Sequence, residues 1–180
     1  MLIKSAGIVV VILAALVAIV LVIAASRPKS IRVQRSILIN APAEKVFPLI
    51  NDFHQWSLWA PQDMEDSTMR RTFSGAENGA GAISDWQSSG SAGTGTMSIT
   101  ESQPLARVVV KTAFVKPFVA HNLNEFVLEP AGAATRVTWT LQGENLFVMR
   151  VMGVFMNMDQ VMGKHFEAGL DHLKTAAESE

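Results

Sequence analysis

The chain has 180 residues, a formal net charge of −1 and no cysteine. This length allows one domain with a substantial core and an accessory segment, and the lack of cysteine excludes disulfides and thiolate-bound metals. Residues 31–180 hold 12 basic and 16 acidic side chains, a net charge of −4. A mildly acidic domain offers no basic stripe to a phosphate backbone, so nucleic acid is not expected as a partner.

The most apolar segment is AGIVVVILAALVAIVLVIAA, residues 6–25, which contains no charged side chain. A helix of about 20 such residues spans the hydrocarbon core of a bilayer. We therefore expect residues 1–30 to form a transmembrane anchor and linker, and residues 31–180 to form the folded domain. A cleaved secretory signal is the alternative, with Ala24 and Ser26 near the cut, although signal cores usually run about 7–15 residues.

The orientation of the anchor is predicted from the flanking charges. Lys4 precedes the apolar segment, and four basic residues follow it, namely Arg27, Lys29, Arg32 and Arg35. Because positive charge is retained on the cytoplasmic side, this asymmetry predicts a single-pass protein of the cell (inner) membrane with a cytoplasmic C-terminal domain. The alternative, again, is an exported protein whose signal is removed.

The first elements of the domain are a strand and two short helices. IRVQRSILIN, residues 31–40, alternates apolar and polar side chains as a strand does. Asn40 is expected to cap the helix APAEKVFPLIND, with Pro42 in its first turn. HQWSLWAP, residues 54–61, is expected to form a second helical turn that ends at Pro61.

A series of short strands follows, separated by glycine, proline and serine. The predicted strands are TMRRTF (68–73), AISDWQ (82–87), TMSITES (96–102), RVVVKTAFV (107–115), NLNEFVLE (122–129) and TRVTWTLQ (135–142). Strands at such short and regular spacing indicate an antiparallel meander. With the first strand, the predicted sheet has seven strands.

The last predicted element is a long amphipathic helix from about Leu146 to Ala177. Its first half is rich in methionine and apolar on nearly every side. Gly153, Asn157 and Gly163 interrupt this half, so we expect a bend or a break there. The whole domain is therefore expected to be α+β.

This order of elements resembles the helix-grip fold of the polyketide cyclase/dehydrase and lipid-transport superfamily, also called START-like or SRPBCC. The resemblance runs from about Val33 to Lys174. It is carried by the stretches INAPAEKVFPLINDFHQWSLWAP, GTGTMSITESQPLARV, FVLEPAGAATRVTWTLQG and GKHFEAGLDHLK. It implies a bent antiparallel sheet around the C-terminal helix, with an apolar cavity between the two.

The resemblance also suggests where a ligand would lie. Trp56 and Trp59, three residues apart, would close one end of the cavity, although both could equally be ordinary core packing. The expected wall is made of large apolar side chains. It comprises Trp56, Trp59, Trp86, Phe114, Phe126, Trp139, Met152, Phe155, Met156, Met162 and Phe166.

No catalytic motif stands out in the sequence. Asp85, Glu125 and His121 are the candidates for an acid or base. A carboxylate that faces an apolar cavity has a raised pKa, and His121, at the start of a strand, could line the cavity mouth. Strand parity equally allows them to point to solvent. His165 and His172 share a helix face, but two imidazoles make a poor metal site, so neither a metal nor a cofactor is expected.

Three functions are compatible with these features. The first is a membrane-anchored module that binds a hydrophobic small molecule or lipid between sheet and helix. The second is a cyclase- or hydratase-like enzyme that uses a cavity carboxylate or histidine. The third is a membrane-tethered interaction protein whose methionine-rich segment, residues 147–162, docks onto a membrane-protein partner or the bilayer surface.

Overall fold

The computed structural model describes residues 2–90 and 92–179. The helices are α1 (Leu2–Ser26), α2 (Ala43–Asn51), α3 (Pro61–Glu65), α4 (Phe147–Phe155) and α5 (Met158–Glu178), with a 3₁₀ helix at Phe53–Leu58. The strands are β1 (Ser30–Ile39), β2 (Arg70–Gly75), β3 (Ala82–Gln87), β4 (Thr94–Gln103), β5 (Arg107–Lys116), β6 (Ala120–Ala131) and β7 (Ala134–Glu144).

The seven strands form one antiparallel sheet in the order β1-β7-β6-β5-β4-β3-β2. One face, here called the covered face, packs against the helices of the domain, and the other is the outer face. On β3, for example, Ala82, Ser84 and Trp86 are buried on the covered face, whereas Asp85 points outward. The α+β class, the seven strands and the meander are thus as the sequence predicted.

The residues at which α2 and α3 begin differ from the prediction. The N-cap of α2 is Pro42, which offers no side-chain cap, while the backbone N–H of Asn40 donates to Glu178 Oε1 at 2.6 Å. The assignment of Asn40 as the cap is therefore wrong. Pro61 begins α3 instead of ending the preceding turn, because its fixed φ suits the first position of a helix.

The C-terminal helix is broken, as expected, into α4 and α5. The break lies at Met156 and Asn157, and the Asn157 side chain caps α5 by accepting from the backbone N–H of Gln160 at 3.3 Å. Gly153 and Gly163 remain helical. Gly163 is buried because the Arg35 guanidinium lies against it, where a Cβ atom would overlap the guanidinium nitrogens.

The apolar helix α1 continues closely into the domain. Its segment Gly7–Ser26 is long and apolar enough to cross a membrane, a property that a signal sequence shares. Ala24 is buried, and Arg150 of α4 donates through Nη1 to the carbonyl oxygens of Ala24 and Ala25 at 3.4 and 3.3 Å. Helix α4 therefore packs on the last turns of α1, and Arg150 supplies a further donor to carbonyls at the end of that helix.

The strand register defines which turns lie beside α1. Ser30 at the start of β1 pairs with Glu144 at the end of β7, and Asn122 of β6 pairs with Gly143. Lys116 at the end of β5 pairs with Thr94 at the start of β4. The β5–β6 turn, the β3–β4 turn and the segment 144–157 therefore lie at one end of the sheet, here called the anchor end.

Candidate functional site

A cavity of about 80 Å³ lies between the covered face of the sheet, α3 and α5. Its floor is buried and its rim is half-exposed, and the rim is formed by Gln62, Phe114, Asn122 and His165. The complete lining is Trp56, Ala60, Pro61, Gln62, Met97, Thr112, Phe114, Asn122, Asn124, Trp139, Leu141, His165 and Phe166. Phe114 and Asn122 are near the last and first residues of β5 and β6, so the rim faces the anchor end.

Stacked aromatic rings form one wall of the cavity. The rings of Trp139 and Phe166 are parallel within 2° and their centroids are 4.1 Å apart. Gly169 permits this arrangement, because a Cβ atom there would approach Trp139 to 3.1 Å. The sheet and helix α5 are thereby held together directly beside the cavity.

The paired tryptophans lie in the core. Trp59 is completely buried, and its Nε1–H donates to the carbonyl of Leu49 at 2.8 Å. Trp56 Nε1–H donates to the carbonyl of Ile50 at 3.0 Å. The indoles thus satisfy carbonyls in the last turn of α2 while their rings fill the space beneath it. Only Trp56 also lines the cavity.

A short polar network is set into this apolar wall. Asn124 is buried, accepts from Trp139 Nε1–H at 3.0 Å and donates through Nδ2 to Thr112 Oγ1 at 3.1 Å. Thr112 Oγ1, as an acceptor here, keeps its own proton for a further acceptor. The site therefore presents a hydroxyl donor to the cavity in otherwise apolar surroundings.

Four of the predicted wall residues, Trp56, Phe114, Trp139 and Phe166, line the cavity. Trp59, Trp86, Phe126 and Met162 pack behind or beside it in the core. Met152, Phe155 and Met156 are exposed on and just after α4, away from the cavity. Their placement in the wall is wrong because the break at Met156 and Asn157 turns α4 away from the sheet.

Sequence reasoning missed the polar part of the site. In NLNEFVLE, the alternation that places Phe126 on the covered face also places Asn122 and Asn124 there. Two asparagines on the covered face of one strand are the sequence signal from which a polar group in the site could have been predicted. Met97 and Leu141 could similarly have been assigned to the covered face from strand parity, whereas Gln62 and His165 depend on how helices pack over the sheet.

The three candidate acids and bases lie on the outer face. Asp85 accepts from Thr96 Oγ1 on the neighbouring strand, and His121 Nδ1 is 3.8 Å from Glu144 Oε1. Glu125 accepts a hydrogen bond from the Arg107 guanidinium, which also donates to Glu101, and these two bonds raise the pKa of Arg107, the one to Glu125 more strongly. Because none of the three faces the cavity, the expectation that they act there is wrong.

The histidines divide between rim and packing. His165 lies at the cavity rim, and His172, one heptad later on α5, is half-buried. Within residues 2–90 and 92–179, no group of three histidine, aspartate or glutamate side chains is arranged to hold a metal ion.

The family model described as "Polyketide cyclase / dehydrase and lipid transport" matches residues 30–178. No curated protein matches the chain.

Several solved structures share the fold. Protein CV1439 from Chromobacterium violaceum is 14% identical, with a TM-score of 0.59 over 86% of this chain and 100% of its own. The di-domain ARO/CYC StfQ from the steffimycin biosynthetic pathway is 9% identical, with a TM-score of 0.62 over 83% of this chain and 51% of its own. The Aha1 dimer from Colwellia psychrerythraea is 18% identical, with a TM-score of 0.54 over 82% of this chain and 96% of its own.

Proposed function

Because the chain belongs to the polyketide cyclase/dehydrase and lipid-transport family, we propose that it is a membrane-anchored binding protein for a small hydrophobic molecule. The observation that carries the proposal is the cavity between sheet and α5, with its apolar wall and its single buried polar network. Binding sites for small molecules combine these two features, because the wall supplies affinity and the few polar groups supply orientation. The proposed binding domain comprises residues 31–180, and residues 1–30 form the proposed anchor and linker.

The polar network indicates the chemical class of the ligand. The free proton of the Thr112 hydroxyl suits a ligand with a carbonyl, ether or hydroxyl oxygen. The rings of Trp56, Trp139 and Phe166 suit an apolar body beside that oxygen. The ligand is therefore an apolar compound with one oxygen acceptor at its buried end.

The volume of the cavity limits how much of the ligand is enclosed. The cavity measures about 80 Å³, whereas a cavity that holds benzene measures about 150 Å³. It accepts a few heavy atoms as it stands. A longer ligand either leaves its remainder outside the rim or displaces the half-buried side chains of Gln62, Phe114 and His165.

The contacts between α1 and α4 support a retained anchor over a cleaved signal. Removal of α1 would uncover the side of α4 that buries Ala24 and would leave Arg150 without the two carbonyls it binds. We place the domain on the cytoplasmic side of the inner membrane, since Arg27 and Lys29 directly follow the span. The intact mass of the membrane-bound protein tests this proposal. Retention of residues 1–30 supports it, and loss of them overturns it.

The ligand proposal is tested by native mass spectrometry of the full-length protein in detergent. We expect a bound mass in the unaltered protein and in A131L, which changes an exposed residue at the far end of the sheet. A60L adds three carbons at the cavity lining, so we expect it to fold and to lose the bound mass. An equal occupancy in A60L and A131L, or a reproducibly empty unaltered protein that also ignores added fatty acids and fatty alcohols, contradicts the proposal.

A further inference from the structure

The β5–β6 turn at the anchor end exposes large apolar side chains. Phe118 is 55% and Val119 is 64% exposed, and Val115 before them is also exposed. Turns exposed to water are normally polar, so three exposed large apolar side chains within five residues indicate a contact outside the domain.

Helix α4 exposes a second set of apolar side chains at the same end. Phe155 is 72% exposed, Phe147 and Met152 are exposed as well, and so is Met156 just after the helix. The other side of this helix packs on the last turns of α1. The exposed side of α4 therefore lies next to the C-terminal end of α1, where the apolar helix enters the domain.

The link between α1 and the sheet is too short to move these surfaces away from the span. Only Arg27, Pro28 and Lys29 separate Ser26 from β1. Four residue steps cover at most about 14 Å. The link is further fixed by Asn145, whose backbone N–H and side chain donate to the carbonyls of Lys29 and Pro28 at 2.8 and 2.9 Å.

We propose that the anchor end lies in the membrane interface, with the end of β5 and the β5–β6 turn (together residues 115–119) and α4 (residues 147–155) inserted at the boundary between headgroups and acyl chains. These two segments are called the interfacial rim. The proposal rests on the retained anchor of the proposed function. It identifies the bilayer as the partner of this surface, because the surface is continuous with a helix that can span one.

The charges around the interfacial rim fit a lipid surface. Arg27 and Lys29 follow the span, and Lys116 precedes the exposed tip of the β5–β6 turn. Long basic side chains reach headgroup phosphates while their stems stay in apolar surroundings. Apolar tips next to basic side chains are the composition of segments that lie in the interface.

The mouth of the cavity lies at the same end of the sheet as the proposed membrane contact. The cavity rim, with Phe114 and Asn122, faces the anchor end, and these residues are a few positions from the exposed turn. A docked interfacial rim therefore places the mouth of the cavity at the bilayer surface. An apolar ligand would pass between lipid and cavity without crossing bulk water.

Spin-label depth measurements on the full-length protein test the proposal. The chain contains no cysteine, so F118C and F155C each introduce one labelling site, and A133C places a matched label in an exposed turn at the opposite end of the sheet. In proteoliposomes of phosphatidylcholine and phosphatidylglycerol, we expect labels at positions 118 and 155 about 5–10 Å below the headgroup boundary. We expect the label at position 133 in water.

A label at Ala15, in the middle of the apolar segment, separates the two proposals. If the label in A15C lies in the bilayer while the labels at positions 118 and 155 lie in water, the docking is overturned and the anchor is left intact. An aqueous label in A15C overturns the anchor itself. Because the vesicles contain no other protein, shielding at positions 118 and 155 that persists at high lipid excess supports a lipid partner. Shielding that disappears on dilution into lipid assigns the surface to a second copy and overturns the proposal.

Discussion

Asn124 links the stability of the core to the polarity of the cavity. Its amide joins Trp139 Nε1–H to the Thr112 hydroxyl, and all three groups are buried. A buried donor that loses its acceptor cannot recover the lost hydrogen bond from water. The same residue therefore holds Trp139 in its stacked position on Phe166 and aims the hydroxyl into the cavity.

We expect N124L to destabilise the protein by about 1–3 kcal/mol, because it leaves the Trp139 Nε1–H without an acceptor. Urea unfolding of the full-length protein in detergent, followed by tryptophan fluorescence, measures this change. N78L, at an exposed turn, is the matched control and should stay within about 0.5 kcal/mol of the unaltered protein. Equal midpoints for N124L and N78L would show that the network contributes nothing.

Asp66 makes the stability depend on pH. Hydrogen bonds from Ser88 and Thr68 hold the pKa of its carboxyl below the usual value. A group whose pKa is lower in the folded state stabilises the fold above its unfolded pKa of about 4, and this contribution is lost as pH falls through the folded value. We expect stability to fall on acidification below about pH 4 and the fall to be shallower in D66N. Unfolding midpoints from pH 6 to pH 2 test this, with D171N, at an exposed site, as a control that should keep the original slope.

At the scale of elements, Gly163 decides how closely α5 approaches β1. The Arg35 guanidinium lies against the helix at this glycine and reaches Asp159 Oδ2 at 3.0 Å and Glu167 Oε1 at 2.8 Å. A side chain at position 163 would take the space of the guanidinium. The ion pairs across this contact therefore depend on the absence of a Cβ atom on the helix.

In G163A the new Cβ atom displaces the Arg35 guanidinium, the far end of a flexible side chain. We expect the weakened ion pairs, whose contribution at a partly exposed site is modest, to offset most of the gain of about 1 kcal/mol that alanine brings to a helix over glycine. The background variant R35A removes the side chain that would clash. In that background G163A should be neutral or stabilising, and the double-mutant cycle in urea measures the difference. The same effect of G163A on stability in both backgrounds would contradict the close contact between Arg35 and α5.

At the scale of the whole molecule, the small cavity predicts a limit on ligand length. For a series of primary alcohols, we expect each buried methylene to add about 0.8 kcal/mol of affinity until the cavity is full. Phe114 is half-buried at the rim, so F114A should shift the plateau to longer chains. Calorimetric titration of the full-length protein measures the plateau. F73A, on the edge strand β2, should leave it unchanged, and an unshifted plateau in F114A would exclude Phe114 as the limiting wall.

The sequence predicted the parts of the fold that repeat along the chain. The alternation in TRVTWTLQ, the spacing of glycine and proline between strands and the twenty apolar residues of 6–25 each record a local requirement of a strand, a turn or a long apolar helix. The break near Asn157 was likewise visible, because glycine and asparagine interrupt an otherwise helical pattern. These features depend on the backbone and on neighbours a few residues away.

Only the tertiary structure decided what occupies the space between sheet and helix. Trp59 and Phe126 are completely buried there, and the cavity beside them is polar at Asn124 and Thr112. Met152 and Met156 do not line the cavity, because the helix break at Met156 and Asn157 turns α4 away from the direction of α5. The volume of the cavity, its mouth and the exposed apolar surfaces at the anchor end depend on distances between residues far apart in the chain, and such distances leave no periodic mark in a single sequence.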